Sequence, residues 1–142
     1  MTEAPRRTVV AVVLAWRGRI GLFKRSAAVA HDQGLWHCIS GYVEPDAVPL
    51  AQAVIELSEE TGLSVDDLSG IVPGPVLTLA DARSGDWTVH TFLAYTDQRR
   101  LRLDGEHDTY RWVRPHLLAS FDGQVTWLSD VVEAVLGPID RR

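Results

Sequence analysis

The stretch from Gly41 to Leu63 reads GYVEPDAVPLAQAVIELSEETGL and contains both a turn and a clearly patterned helix. Apolar side chains at Leu50, Ala53, Val54 and Leu57 recur at helical spacing, which predicts one buried stripe. Pro49 suits the first turn of a helix, and Gly62 suits the residue that ends one. These signals predict a helix over Pro49–Thr61.

Three acidic residues of this helix are spaced i, i+3 and i+4: Glu56, Glu59 and Glu60. At that spacing their Cβ atoms lie about 5 to 6 Å apart, and like charges weaken an isolated helix by a few tenths of a kcal/mol per pair. A bound hard cation would turn this repulsion into a favourable arrangement, because such cations prefer oxygen ligands. Taken alone, the triplet is more simply read as a solvated helix face.

The order of residues around the triplet favours the metal-binding interpretation. The stretch resembles the Nudix box, G-x5-E-x7-R-E-U-x-E-E-x-G-U, in which U is aliphatic. The matching positions are Gly41, Glu56, Leu57, Glu59, Glu60, Gly62 and Leu63. A motif with this many fixed positions is far more specific than a short glycine motif.

Two positions depart from the box, because Ala47 replaces its first glutamate and Ile55 replaces its arginine. The resemblance implies that these two side chains pair in relatives, so losing both avoids leaving one buried charge unpaired. Their loss also removes groups that orient the metal ligands, which commonly costs 10- to 100-fold in affinity or activity. Asp46, one position early, is a candidate partial substitute for the missing acid.

The resemblance implies a fold and a chemistry. The expected fold is α/β of the α+β type, a Nudix-like mixed β-sheet sandwiched between helices, with residues 1–142 as a single domain. The expected catalytic residues and metal ligands are Glu56, Glu59 and Glu60, joined by the backbone carbonyl of Gly41. Mg²⁺, with Mn²⁺ as an alternative, would bridge these oxygens to substrate phosphates, and one glutamate would orient or deprotonate the attacking water. The implied reaction is hydrolysis of a diphosphate linkage in a nucleoside diphosphate derivative or a similar small molecule.

Further candidates lie outside the box. Glu106 in EHDTYRWV resembles a segment where relatives carry an extra metal-binding or base glutamate, and a plain surface role fits equally well. Arg25 follows a strand at a place where relatives direct a basic group to substrate phosphate, although a solvated arginine fits as well. Trp36 is a candidate for stacking on the substrate. Trp87 and Phe92 share that option, but core packing is favoured for most of these aromatic side chains.

Two other functions remain open on the sequence. Ala47 and Ile55 favour a Nudix-fold ligand-binding or regulatory module without turnover, whereas the retained glutamates argue against it. The segment WHCISGYVE loosely resembles isopentenyl diphosphate isomerases, which would need Cys38 as a catalytic residue. His37 and Cys38 are adjacent, so in a strand they face opposite sides and form no catalytic pair. The five histidines show no ligand spacing and are interpreted as ordinary polar residues.

Composition narrows the function classes. Acidic residues outnumber basic ones by 19 to 14 and the net charge is −5, with no basic run, so we expect no nucleic acid polymer as a partner. A single cysteine excludes an internal disulfide. The apolar run Val9–Trp16 is too short to span a bilayer, so we expect a cytoplasmic protein without a membrane partner. The sequence does not fix the oligomeric state, and a homodimer is compatible with it.

The rest of the chain predicts strands and a second helix. The strands are expected at Thr8–Trp16, Ile20–Lys24, Leu35–Ile39, Val72–Leu79, Trp87–Tyr95 and Tyr110–Val113, with a turn at Arg17–Arg19 and a helix at Thr126–Leu136. The first two strands should form a hairpin. The segments His31–Gly34 and Asp81–Asp86 are expected to be loops that set substrate selectivity.

Overall fold

The computed structural model describes residues 7–80 and 85–137. Its strands are β1 (Arg7–Trp16), β2 (Arg19–Arg25), β3 (Trp36–His37), β4 (Ile39–Tyr42), β5 (Leu68–Leu79), β6 (Trp87–Thr96) and β7 (His107–Val113). The helices are α1 (Pro49–Thr61) and α2 (Leu128–Leu136), and short 3-10 helices cover Val65–Asp67 and Pro115–Ser120. The strands form one mixed sheet, because β1 runs parallel to β6 and antiparallel to β2 and β4.

Strand β1 lies inside the sheet and is buried on both faces, as its continuous apolar sequence predicts. Its side chains alternate between two clusters, with Val9, Ala11 and Val13 in one and Val10, Val12 and Leu14 in the other. The first cluster is closed by Leu128, Val131 and Val132 of α2, and the second by Ala53 and Leu57 of α1. The sheet is therefore sandwiched between the two helices, and the predicted fold class is confirmed.

The turn between β1 and β2 also follows the prediction. Ala15 pairs with Ile20 and Trp16 with Arg19, so only Arg17 and Gly18 lie between the two strands. Both residues have positive φ, 47° and 78°, which is the backbone of the tight turns that match the twist of a hairpin. Arg19, predicted as part of the turn, is instead the first residue of β2.

Several strand boundaries differ from the prediction. The segment expected as one strand, Leu35–Ile39, is divided at Cys38 into β3, which pairs with β2, and β4, which pairs with β1. Strand β5 begins at Leu68 rather than Val72, and β7 begins at His107 rather than Tyr110. Strand β5 contains two prolines and two register shifts, features that an edge strand tolerates because one side has no strand partner to bond. Helix α2 starts at Leu128, two residues later than predicted.

Helix α1 has the predicted bounds, but its buried stripe differs. Gly62 ends the helix with φ 76°, and its N–H donates to the carbonyl of Ser58. Leu50, predicted to be buried, lies in the first turn of the helix and is 44 % exposed. The buried residues are Ala53, Leu57, Glu60 and Thr61, so a glutamate takes a place on the core face.

Within residues 7–80 and 85–137, no helix combines the length and the apolar character needed to cross a bilayer. The predicted loop Asp81–Asp86 lies mostly outside the described residues.

Replacing Gly62 by alanine should destabilise the protein by about 1 to 2 kcal/mol, since a side chain in the left-handed region costs that much. The added Cβ would also lie 3.1 Å from Cβ of Arg102. Urea unfolding measures the change. Gly70→Ala is the matched control, because its Cβ would make only an ordinary 3.8 Å contact with Tyr95. Equal stability of the two variants would contradict this account of Gly62.

Candidate active site

Glu56 lies directly over the backbone of β4. Helix α1 packs on β4 and β1, and a Cβ added to Gly41 would come within 2.2 Å of both Cδ and Oε1 of Glu56. Any larger residue at position 41 would therefore displace this carboxylate. The glycine is required here for close approach of a side chain to the backbone.

One turn earlier on the helix, Gln52 supports Glu56. Nε2 of Gln52 donates a hydrogen bond of 2.9 Å to Oε1 of Glu56. The two residues are spaced i, i+4, so they lie on the same face of α1. The Glu56 side chain is held between this amide and the backbone at Gly41.

Glu60 is enclosed more completely than Glu56. Its side chain is 2 % exposed, and its Oε2 atom has no hydrogen-bond partner among the described residues. Burial raises the pKa of Glu60 well above its ordinary value, and hydrogen bonding with Glu56 and the charges of Glu56, Asp104 and Glu106 raise it further. Burial also raises the pKa of Glu56. Two neighbouring acids in this situation favour either a proton or a cation between them.

The other predicted ligands are less enclosed. Glu59 is solvent-exposed, and so is Glu106, although the negative charge of Glu106 raises the pKa of both Glu56 and Glu60. Within the described ranges, no set of three or more Asp, Glu, His or Cys side chains is arranged to hold a metal ion. The structure thus brings together Glu56, which lies against Gly41, and Glu60, with Glu106 near enough to act on both electrostatically, while the Glu59 side chain is exposed.

The residues around Glu60 nevertheless fit a hard divalent cation. A buried carboxylate oxygen without a partner, the adjoining Glu56 carboxylate and a bare glycine backbone together supply the oxygen ligands that Mg²⁺ and Mn²⁺ prefer.

A buried histidine adjoins Glu60 and was missed by the sequence analysis. Nε2 of His107 lies 3.5 Å from Oε1 of Glu60, and Nδ1 lies 3.1 Å from Oδ1 of Asp104. The His107 side chain is 1 % exposed. Its position at the start of β7, next to the candidate Glu106, was the available signal, but the expected strand began three residues later.

A family model described as the NUDIX domain matches residues 4–134. The chain belongs to the NUDIX domain family. The predicted membership of the Nudix family is thereby confirmed, and the chain has the fold of proteins described as MutT and NUDIX hydrolases. A search of curated proteins finds no match.

Solved structures with this NUDIX fold include the MutT protein from Methanosarcina mazei Go1, with 22% identity, a TM-score of 0.76 and 94% of each chain covered. The MutT NUDIX hydrolase from Burkholderia pseudomallei has 22% identity and a TM-score of 0.76, covering 92% of this chain and 98% of its own. The NUDIX domain of Shewanella oneidensis NrtR, complexed with ADP ribose, has 16% identity and a TM-score of 0.74, covering 92% and 86%. At these identities the likeness establishes the fold.

The two departures from the Nudix box lie in different surroundings from those expected. Ile55 is 47 % exposed and Ala47 is partly buried, while Asp46 is exposed. An arginine at position 55 would extend into water. Even without a partner it would not be a buried charge, so replacing it by isoleucine removes no such cost. The expectation of a buried pair at these positions is therefore wrong for this chain.

The candidate substrate residues Arg25 and Trp36 flank one loop of the NUDIX domain. The N–H of Arg25 donates to the carbonyl of Leu35, and its Nε donates to the carbonyl of His31. Trp36 packs edge-on against Phe121 at 5.0 Å and lies under the guanidinium of Arg111, on the face of the sheet that α2 covers. The loop between β2 and β3 therefore lies between these two residues.

The other aromatic candidates belong to the core, as the sequence analysis favoured. Phe92 is buried in the cluster under α1, and Trp87 packs on the cluster under α2 and against the ring of Tyr42.

His37 is a second buried histidine that the sequence did not single out. Its ring meets Trp127 edge-on at 4.5 Å, and neither ring nitrogen has a hydrogen-bond partner among the described residues. Burial, helped by the charge of Arg25, lowers the pKa of His37 to about 3. The ring is therefore neutral at ordinary pH.

Cys38 does not fit the isomerase interpretation. It is 1 % exposed, within the cluster under α2. Burial raises the pKa of the Cys38 thiol strongly, and the charge of Glu60 raises it further. A thiol that stays protonated and enclosed cannot serve as a catalytic group at a substrate site.

The Gly41→Ala substitution should weaken divalent metal binding about 10-fold or more with little change in stability. The new Cβ would collide with the end of a flexible side chain, so the Glu56 carboxylate would move rather than the backbone. Mn²⁺ titration followed by electron paramagnetic resonance gives the affinity, and urea unfolding gives the stability. Gly70→Ala is the control, and unchanged Mn²⁺ affinity in Gly41→Ala would contradict the role given to this contact.

Rising pH should destabilise the metal-free protein through Glu60. A group with a raised folded-state pKa stabilises the fold fully below its ordinary pKa of 4.5, and that stability is lost as the pH rises through the raised value. Urea unfolding at a series of pH values should show this decline, and saturating Mn²⁺ should reduce it because the cation favours the ionised form. In Glu60→Gln the decline should be smaller. An equal pH slope in wild type and variant would rule out Glu60 as the cause.

Proposed function

We propose that this NUDIX domain is a divalent-metal-dependent hydrolase that cleaves a diphosphate linkage in a small organic molecule, with nucleoside diphosphate derivatives as the substrate class. The observation that supports this most directly is the pair formed by buried Glu60 and half-buried Glu56, the latter against Gly41, within the segment that matches the Nudix box. A buried acid pair is costly unless something compensates it. A cation that also binds phosphate would do so.

The proposed ligands of the cation are the carboxylates of Glu56, Glu59 and Glu60, the carbonyl of Gly41 and the carboxylate of Glu106. Glu59 and Glu106 are exposed, so their side chains are free to turn toward the buried pair. When bound, Mg²⁺ or Mn²⁺ would neutralise phosphate charge, lower the pKa of a bound water and stabilise the leaving oxygen. The net charge of −5 agrees with a phosphate substrate that is approached through a cation rather than through a basic surface.

Glu56 is the protein group best suited to take a proton from the attacking water. Burial raises the pKa of Glu56 in the metal-free protein, so this carboxylate holds a proton more readily than an exposed glutamate does. It is only half-buried, so water can reach it, and the Gln52 amide and the Gly41 backbone hold it in one direction. Glu60 is too enclosed for this role.

Arg25 and Trp36 are the substrate contacts that we propose. Arg25 lies at the start of the β2–β3 loop, where its guanidinium can pair with a phosphate. The Trp36 ring packs on the face of the sheet that α2 covers, so we propose that it meets the organic part of the substrate, away from the acid pair on α1.

A ligand-binding module without turnover is the second candidate, favoured by Ala47 and Ile55. The NUDIX domain of Shewanella oneidensis NrtR was solved with ADP ribose, so the fold binds a nucleoside diphosphate derivative in that protein. Against this candidate, a module that only binds its ligand would retain the destabilising burial of Glu60 without any chemical use for it.

Hydrolysis can be tested on a panel of nucleoside diphosphate derivatives with and without Mg²⁺ or Mn²⁺. We expect metal-dependent release of a phosphate monoester from at least one member, detected as orthophosphate after phosphatase treatment. Glu60→Gln should lower kcat/KM about 100-fold or more, because several kcal/mol of charge stabilisation would be lost. Glu133→Gln, an exposed glutamate on α2, is the control and should keep wild-type activity.

Calorimetry on the same panel separates the two candidates. Binding of a panel member without turnover under any metal condition, and without a change in Glu60→Gln, would replace the hydrolase with the ligand-binding module.

A further inference from the structure

Among the described residues, most buried side-chain polar atoms without a hydrogen-bond partner belong to Glu60, His107 and His37. The described residues contain five such side-chain atoms: Trp16 Nε1, both ring nitrogens of His37, Glu60 Oε2 and His107 Nε2. Glu60 and His107 are in direct contact, and the charge of His107 helps to lower the pKa of His37. Buried polar groups are normally hydrogen-bonded, so this cluster requires an explanation.

Asp104, His107 and Glu60 form a continuous line, which we call the Asp104–His107–Glu60 chain. The ring Nδ1 contacts Asp104 at 3.1 Å, and Nε2 faces Glu60 at 3.5 Å. Asp104 is partly exposed, whereas the side chains of His107 and Glu60 are 1 % and 2 % exposed. Nδ1 therefore faces one carboxylate, that of Asp104, and Nε2 faces the other, that of Glu60.

The loop before β7 fixes the His107 ring. The N–H of Ser26 donates to the carbonyl of Glu106, and its hydroxyl donates to the carbonyl of Gly105. The ring also meets Phe23 edge-on at 5.8 Å. At this place the β2–β7 pairing changes register, between Lys24 and Arg25, so that His107 stands opposite Arg25. These contacts hold the His107 ring, the loop before β7 and the start of β7 in one arrangement.

We propose that His107 is a positioning residue for the metal site, and that it fixes the direction of the Glu60 carboxylate while Asp104 fixes His107. This inference rests on the proposed function. Groups that orient a metal ligand commonly change metal affinity 10- to 100-fold although they do not touch the metal. A ring that faces Oε1 of Glu60 restricts rotation of that carboxylate and leaves Oε2, the atom without a partner, as the available ligand.

A purely structural role does not explain the choice of histidine at this position. An apolar side chain of similar size would fill the same space beside Phe23 without enclosing a nitrogen that lacks a partner. Stability alone therefore favours an apolar residue, whereas orientation of Glu60 requires a polar one. The two roles predict different effects of substitution, which makes them separable.

The test measures Mn²⁺ affinity by electron paramagnetic resonance and thermal unfolding of the metal-free protein. His107→Asn keeps a polar group only on the Asp104 side, so its Mn²⁺ affinity should fall about 10- to 100-fold. His107→Gln places an amide nearer to Glu60 and should recover most of the affinity. His107→Leu should lose affinity without losing thermal stability. His116→Asn, a histidine in the 3-10 helix Pro115–Ser120, is the matched control and should bind Mn²⁺ like wild type.

A double-mutant cycle shows whether His107 acts through Glu60. If it does, adding His107→Asn to Glu60→Gln should cause little further loss of Mn²⁺ affinity, because coupled residues are non-additive. A full additional loss in the Glu60→Gln background would overturn the proposal. So would unchanged Mn²⁺ affinity in His107→Asn, or equal loss in His107→Gln and His107→Leu, while wild type binds Mn²⁺ and hydrolyses its substrate. A wild type that does neither would instead overturn the proposed function, and with it the role of His107.

Discussion

A carboxylic acid enclosed between helix α1 and the sheet is the constraint on which the candidate site depends. Glu60 occupies a place on the core face of the helix where an apolar residue would stabilise the fold more. Three nearby residues are arranged around this acid. Glu56 shares its environment, His107 faces one of its oxygens, and Gly41 leaves space for the second carboxylate. The cost of this burial in the metal-free protein is what a bound cation would offset in the proposed function.

The segments that the sequence predicted well are those whose structure is decided locally. Helix α1 has the predicted bounds, because Pro49 and Gly62 act on their own backbone and need no distant partner. Strand β1 was recognisable since a continuous β-branched run can only be buried on both faces. The matched positions of the Nudix box gave the family for the same reason, because the motif lies within one continuous stretch.

The features that the sequence did not reveal depend on contacts between distant segments. The separation of β3 from β4 follows from their pairing with different strands, and nothing local marks Cys38 as the break. The burial of Glu60 depends on how α1 is rotated over the sheet, which the spacing of acids alone does not fix. The importance of His107 depends on Asp104 nearby and on Glu60 far away in the sequence. Its place at the start of β7 was hidden because an edge strand with polar residues resembles a loop.

The acid pair is retained although two positions of the Nudix box are substituted. Ile55 points toward solvent rather than into the acid cluster, so its replacement of the usual arginine leaves the Glu56 and Glu60 pair intact. The contacts that hold this pair come from Gln52, from the backbone at Gly41 and from the loop before β7. Gln52 and the loop before β7 are not specified by the box, whereas Gly41 is, so the acid pair is held partly by residues outside the motif.

The enclosure of Cys38 has a practical consequence for following the conformation of the protein. The chain has one cysteine, and its sulfur lies in the core at the junction of β3 and β4, where it belongs to the cluster under α2. Alkylating reagents can reach that sulfur only when the sheet and the helix separate. The chain therefore carries a single internal label site whose rate of modification reports the opening of its centre, without any engineered residue.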